Sequence, residues 1–216
     1  MKLKQKFFID SHKGITPFFI FFLIIFYYQW DNIFAIAYLA LHGSYGILWI
    51  SKSLIFPDRQ WEKKSSLSYG LLIWLGLSLY WIAPIVIITP YKFEQFILIL
   101  NPSNFYLLGC IFIYVLGVFL HFGSDMQKYT HLKLNPNTLI KDGFFLKTRN
   151  PNYLGELLIY LGFIAISCNW IPFIVLGLFI FAVWIPNMNK KDISLSRYEG
   201  FDNYKSTTYK FIPFIY

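Results

Sequence analysis

The sequence predicts an all-α protein, a polytopic bundle of about six transmembrane helices with both termini in the cytoplasm. Two observations predict this fold class. The 216 residues are 56% hydrophobic, 22% aromatic and only 14% charged, which is far from the composition of a soluble domain. The apolar residues also come in blocks rather than at amphipathic spacing, and a spanning helix needs roughly 20 mainly apolar residues.

Six apolar blocks give the helix count. Two are short enough to suit buried core helices of a soluble protein, but the sequence has no amphipathic segments left to cover them. The polar remainder is two terminal tails and two long loops, with no internal repeat, so we predict a single membrane domain over residues 1–216. The blocks span residues 15–28, 33–50, 69–89, 105–122, 153–167 and 170–186.

The positions of lysine and arginine predict the orientation, because cytoplasmic loops retain these residues and translocated loops lack them. With the N-terminus inside, 18 of the 19 cations fall on the cytoplasmic side, and only Lys92 lies outside. Topology alone accounts for the net charge of +8, so we predict membrane lipids and no nucleic acid as partners.

The two cysteines carry no metal or disulfide signature. Cys110 and Cys168 both lie in or at the edge of apolar blocks, and two cysteines at that separation form neither a disulfide framework nor a set of metal ligands. We predict packing roles for both and no metal site.

A stripe of polar side chains follows the second block. His42, Tyr45, Trp49 and Lys52 are spaced so that they share one helix face, and His42 is the deepest of them. Polar groups at membrane depth need a partner, a wet cavity or the interface. A lone histidine in a helix is also a common packing residue, and this alternative stays open.

His121 and Asp125 stand four residues apart near the cytoplasmic end of the fourth block, close enough to interact. One interpretation is an ion pair at the helix end. In the other, Asp125 accepts hydrogen bonds from the hydroxyl or amide groups of a ligand.

The strongest candidate segment is DGFFLKTRNPNYLGELLIYLG, residues 142–162. Pro151 suits a first helical turn, and Asn150 before it can cap free backbone donors. Glu156 then lies one turn inside an apolar helix, so we expect it to pair with Arg149 or to accept a ligand's donors. A capped helix with one salt bridge would explain part of this pattern, but it leaves Asn152, Tyr153 and Glu156 together unexplained.

Three motifs support a resemblance. The box RNPNYLGE at residues 149–156 follows a Gly-Phe-Phe lead-in, and Ser124-Asp125 ends the preceding helix. Phe201 and Tyr204 precede Ile-Pro-Phe near the C-terminus. Residues 105–216 therefore resemble the C-terminal region shared by membrane steroid 5-alpha-reductases, sterol reductases, isoprenylcysteine carboxyl methyltransferases and their bacterial relatives. The helix around LALHGSYGILWISK is similar to the reductase helix whose His and Tyr face the substrate.

The reductase resemblance implies an enzyme that reduces a C=C bond of an enone in a steroid-like or other lipid substrate entering from the bilayer. Tyr45 or His42 would be catalytic, donating a hydrogen bond to the enolate. The resemblance to bacterial relatives implies a bacterial inner membrane. It also implies NADPH, held by Asp125, Arg149, Asn152, Tyr153, Glu156 and Tyr204.

The methyltransferase resemblance implies S-adenosylmethionine in the same box. Methyltransferases of this class commonly show Arg-His-Pro and a glutamate pair in the tail, where this chain has Arg149-Asn150-Pro151 and Lys191-Asp192. Both differences favour the reductase, although Thr208 stands where the reductase tail usually has arginine. A non-catalytic lipid-binding protein is the third alternative.

Overall fold

A computed structural model describes residues 2–91 and 93–216, so Lys92 lies outside the described residues. The chain divides into two compact units. The first comprises Met1–Tyr114 and Leu161–Leu176, and the second comprises Val115–Tyr160 and Gly177–Tyr216.

The helices confirm the all-α polytopic fold class. Among the described residues, five helical segments are long and apolar enough to cross a membrane, and Pro151–Ile166 is a sixth, shorter apolar helix. Only 22–44% of each spanning window is buried within the protein, as expected when lipid covers the remaining apolar side chains. The chain is a multi-pass membrane protein.

The elements follow in chain order. The first stretch comprises β1 Leu3–Lys4, α1 Gln5–Phe26, α2 Ile33–Ile55, β2 Lys64–Ser65, α3 Leu67–Ser78 and α4 Ile82–Ile88. The second comprises α5 Asn104–Leu134, α6 Pro151–Ile166, α7 Trp170–Phe179, α8 Ile185–Leu195 and α9 Phe201–Thr207. A 3₁₀ turn at Leu79–Trp81 joins α3 to α4, and a π-helical turn at Ile180–Trp184 joins α7 to α8.

Three helices extend well beyond the apolar blocks that predict them. The α1 helix begins at Gln5 rather than near residue 15, α5 continues to Leu134 rather than ending near residue 122, and the last span reaches Leu195. The polar loop predicted between the fourth and fifth apolar blocks therefore begins only after Leu134. Apolar content marks the part of a helix within the bilayer, whereas its polar extension forms the same backbone hydrogen bonds in water.

Within the first unit, α1 and α2 pack closely where small residues face a backbone. A Cβ at Gly46 would lie 2.7 Å from the Lys13 carbonyl oxygen, so only glycine fits there. Cys110 and Cys168 are buried and free in this unit, in agreement with their predicted packing role. Burial raises the pKa of the Cys168 thiol, which keeps the thiol protonated.

Contacts between loops support the alternating topology. In the first unit β1 pairs antiparallel with β2, so the N-terminal tail and the loop after α2 share one side. Leu98 donates its backbone N–H to the Cys168 carbonyl at 2.8 Å, which joins two segments predicted outside. In the second unit a bridge between Thr148 and Tyr209 joins two segments predicted inside.

A cysteine-accessibility map checks which side is cytoplasmic. In a variant with Cys110 and Cys168 replaced by serine, we expect a membrane-impermeant thiol reagent to label Asn101→Cys on intact cells. Gln60→Cys and Ser206→Cys should react only after permeabilisation, because the cation-rich segments are retained inside. The opposite labelling pattern would overturn the predicted orientation.

Candidate functional site

In the second unit, the candidate site begins where α5 and α6 cross at two glycines. A Cβ at Gly155 would lie 2.3 Å from the His121 backbone nitrogen, and one at Gly117 would lie 2.6 Å from the Ile159 backbone nitrogen. The two backbones touch here, as small residues permit in membrane helices. The crossing places His121 and Asp125 of α5 against the first turn of α6.

His121 links these helices through its imidazole. Its Nδ1 lies 3.0 Å from the Asn152 carbonyl oxygen, and because a carbonyl only accepts, Nδ1 carries the proton. Its Nε2 lies 3.8 Å from the Asp125 carboxylate, an ion-pair distance rather than a hydrogen bond. His121 is 2% exposed and Asp125 4%, so the predicted neighbours form a buried pair.

One acceptor at the start of α6 is buried without a donor. The Asn152 side-chain oxygen accepts no hydrogen bond from the described residues. A buried acceptor in this state indicates a ligand or water that donates to it. The carboxylate of Glu156, one turn further along α6, is half-buried.

The predicted cap at Asn150 is not observed. Its side-chain nitrogen donates to the Lys210 carbonyl oxygen at 2.7 Å, while its side-chain oxygen accepts no hydrogen bond. The prediction was wrong because the C-terminal tail packs against this turn and uses the side chain that the sequence offers as a cap. Pro151 does begin α6, as predicted.

Arg149 pairs with Asp192 of α8 rather than with Glu156. Its Nε and Nη2 donate to the two carboxylate oxygens, both at 3.1 Å, and Nη1 donates to the Thr208 carbonyl at 2.6 Å. Arg149 is 4% exposed and Asp192 8%. This buried fork joins the turn before α6 to α8 and to the end of α9. Arg149 thus has a structural role, and cofactor binding by it stays a prediction.

Tyr204 and Tyr153 complete the predicted set in this unit. The Tyr204 hydroxyl donates to the Phe145 carbonyl oxygen at 2.7 Å, and burial raises the pKa of Tyr204 to about 12. Tyr204 thus anchors the turn before α6. The ring of the half-buried Tyr153 lies 5.8 Å from that of Trp184, so one of its faces packs on the protein.

The predicted stripe on α2 lies in the first unit and is buried. Tyr45 is 0% exposed, His42 5%, Lys52 4% and Trp49 7%. Trp49 donates to Asp10 at 3.1 Å, and Lys52 pairs with Asp58 at 2.9 Å, so carboxylates hold the half of the stripe nearer the C-terminal end of α2.

The deeper half of the stripe differs. His42 stacks on Phe163, with ring centroids 4.7 Å apart, and its Nδ1 accepts or donates no hydrogen bond. The Tyr45 hydroxyl accepts a hydrogen bond from the buried Lys13 ammonium at 3.2 Å. The catalytic role of His42 and Tyr45 stays a prediction.

Comparison with known families assigns the chain. The family model DUF1295, a protein of unknown function, matches residues 59–208. The chain belongs to the DUF1295 family. A search of curated proteins gives no match.

The DUF1295 match covers all six residues predicted to bind a cofactor, whereas His42 and Tyr45 lie before it. Within the DUF1295 region the structure brings His121, Asp125 and Asn152 together around the α5–α6 crossing. Asp192 was missed by sequence reasoning as a partner of Arg149 because the two are 43 positions apart. In the sequence, Lys13 serves only as one of the cations that predict the orientation. Its position beside the first apolar block is the one sequence feature that could indicate a role in a site.

Proposed function

We propose that this DUF1295 protein is a membrane-embedded oxidoreductase that uses NADPH to reduce the C=C bond of an enone in a steroid-like or other lipid substrate. The observation that carries the proposal is the set of acceptors around the α5–α6 crossing, in which the buried Asn152 side-chain oxygen accepts no hydrogen bond from the described residues. The motif resemblance to the steroid 5-alpha-reductases supplies the reaction class.

The residues fit the cofactor's donor groups. NADPH carries a carboxamide, ribose hydroxyls and an adenine amino group, all of which donate hydrogen bonds. Asp125, Asn152 and Glu156 offer carboxylate and amide oxygens in one unit, and such acceptors favour a ligand that donates. Arg149 and Tyr204 would act indirectly, by fixing the turn before α6.

The phosphates of NADPH need cations, and α6 begins next to several. At most one of the five N–H donors of Arg149 remains after its bonds to Asp192, to the Thr208 carbonyl and, from Nη1 at 3.2 Å, to the Lys205 carbonyl. The exposed lysines of this unit, among them Lys147 and Lys190, would therefore supply the charge. A helix N-terminus favours an anion as well.

The cofactor would supply a hydride to the β carbon of the enone. The chain's own contribution is to orient the carbonyl and stabilise the enolate that follows, for which Tyr45 or His42 is the proposed donor. A hydrogen bond of this kind is stronger in a buried, apolar setting than in water. The lipid-like substrate would enter from the bilayer, and we propose a bacterial inner membrane as the location.

A methyltransferase is the second candidate, and one observation favours it. Asp125 and Glu156 are carboxylates. Carboxylates favour a cationic ligand such as S-adenosylmethionine as well as they favour the neutral hydrogen-bond donors of NADPH. The methyl acceptor would then be a carboxylate or thiolate of a membrane-associated molecule. Tyr45 and His42 would have no assigned role in that reaction.

Ligand-dependent thermal stability distinguishes these candidates. A ligand at 100 times its Kd stabilises the folded state by about 2.7 kcal/mol. We expect NADPH to raise the melting temperature of the detergent-purified protein, Glu156→Gln and Asp125→Asn to abolish the shift, and Glu199→Gln, an exposed glutamate of the same unit, to retain it. Stabilisation by S-adenosylmethionine alone would favour the methyltransferase. No shift with either ligand would favour a non-catalytic lipid-binding protein.

A further inference from the structure

Two buried residues of α1, His12 and Lys13, have no role in the function proposed so far. Both are 3% exposed. Burial of an ionisable side chain is costly, and those that a membrane protein buries commonly serve a ligand or a proton path. Their surroundings in the first unit indicate which of these applies.

Lys13 contacts the predicted catalytic tyrosine directly. Its Nζ donates to the Tyr45 hydroxyl at 3.2 Å and lies 4.3 Å from the centre of the Tyr45 ring and 5.0 Å from that of Trp49. A tyrosine hydroxyl that accepts from an ammonium directs its own proton elsewhere, and the positive charge makes that proton a stronger hydrogen-bond donor. Lys13 therefore acts on whatever Tyr45 donates to.

His12 lies in an aromatic cage. Its ring stacks on Trp81 with centroids 5.3 Å apart and meets the edge of Trp74 at 5.1 Å. Trp81 is itself fixed, since its Nε1 donates to the Thr16 hydroxyl at 3.0 Å. The cage sets the ring's orientation without using either of its nitrogens.

Neither nitrogen of His12 has a hydrogen-bond partner among the described residues, and Nδ1 of His42 has none there either. Buried polar atoms in native proteins are almost always bonded, so these three nitrogens of one unit indicate a ligand or water that bonds to them. His12 is the chain neighbour of Lys13, and the ring centroids of His42 and Tyr45 lie 6.2 Å apart, so the four side chains occupy one part of the first unit.

We propose that His12, Lys13, His42 and Tyr45 form a buried donor cluster that takes the oxygen of a carbonyl-bearing apolar ligand, with Lys13 as a positioning residue that acts through the Tyr45 hydroxyl. The identity of the ligand as an enone rests on the proposed function. When the enone gains a hydride at its β carbon, the enolate oxygen takes the Tyr45 proton. The resulting phenolate is stabilised by the Lys13 ammonium and regains a proton from solvent, while the enol becomes the saturated ketone.

Binding of a labelled probe tests the cluster without turnover. The probe is an alkyl-substituted cyclohexenone with a ¹³C carbonyl, added to the purified protein without NADPH and followed by isotope-edited infrared spectroscopy. We expect the carbonyl stretch to move to lower frequency on binding, to move less in Lys13→Met, and least in Tyr45→Phe. Lys13→Met should weaken the affinity about tenfold. The matched control is Lys63→Met, an exposed cation of the same unit, which should match the wild type.

The variants also separate this inference from structural damage. His12→Phe retains the stack on Trp81 while removing both nitrogens. In a Tyr45→Phe background, Lys13→Met should have no further effect on affinity, because Lys13 acts through the missing hydroxyl. Should Lys13→Met fail to fold, Tyr45→Phe carries the comparison with the wild type, because it removes the hydroxyl through which Lys13 acts.

Two results would overturn the donor cluster: no probe binding by the wild type, or the same affinity and carbonyl frequency in wild type, Lys13→Met and Tyr45→Phe. The NADPH thermal shift is recorded separately on the same preparations. Its absence would reject the proposed reductase but would leave the carbonyl frequency readable, so the two failures are distinguishable.

Discussion

Arg149→Met is expected to lower the free energy of unfolding by about 3–5 kcal/mol, the typical cost of removing one partner from a buried ion pair. Asp192 would keep a charge at 8% exposure without its two donors, and the carbonyl at the end of α9 would lose a 2.6 Å hydrogen bond. Arg149→Lys should recover only part of the loss, because an ammonium lacks the planar fork. The measurement is reversible denaturation, or the melting temperature where unfolding is irreversible.

A double-mutant cycle isolates the pair. If the penalty comes from the charge left behind, Arg149→Met combined with Asp192→Met should cost less than the sum of the single variants. Lys4→Met is the matched control, since the Lys4–Glu62 pair is half-exposed, and such pairs contribute about 0–1 kcal/mol. Equal losses in Lys4→Met and Arg149→Met would contradict the structural role of Arg149.

The same pair shows where sequence reasoning succeeds and where it fails. Features that depend on neighbouring residues alone could be predicted from the sequence. These are the apolar spans, the start of α6 at Pro151 and the shared face of the polar stripe on α2. The choice of Asp192 over Glu156 as the partner of Arg149 depends on where α8 lies, and nothing within a few positions of Arg149 encodes that. The cap predicted at Asn150 was wrong for the same reason.

The helix ends also differ between the sequence prediction and the structure, and this difference affects the interpretation of Lys13. With the first span beginning near residue 15, Lys13 belongs to a cytoplasmic tail. With α1 beginning at Gln5, Lys13 lies inside a helix, where it contacts Tyr45. Polar residues at the end of a span look alike in sequence whether they are in water or against another helix, and only the packing of α1 on α2 decides between the two.

Gly155→Ala is expected to destabilise the protein by about 1–3 kcal/mol or more and to abolish the NADPH thermal shift. The added Cβ would lie 2.3 Å from the His121 backbone nitrogen and 2.8 Å from the Gly117 carbonyl oxygen. Both neighbours are backbone atoms, so the clash can be relieved only by moving α6 away from α5. The melting temperature, with and without NADPH, measures both effects.

Gly177→Ala is the matched control, because a Cβ there meets nothing within 4 Å. In an exposed helix interior, alanine is favoured over glycine by about 0.8–1.0 kcal/mol, so this variant should be neutral or slightly more stable. Separation of α5 from α6 would break the His121 bond to the Asn152 carbonyl and move Asp125 away from Asn152 and Glu156. The geometry of the site thus depends on Gly117 and Gly155, although neither glycine contacts a ligand. Equal melting temperatures of Gly155→Ala and Gly177→Ala, with and without NADPH, would contradict this dependence.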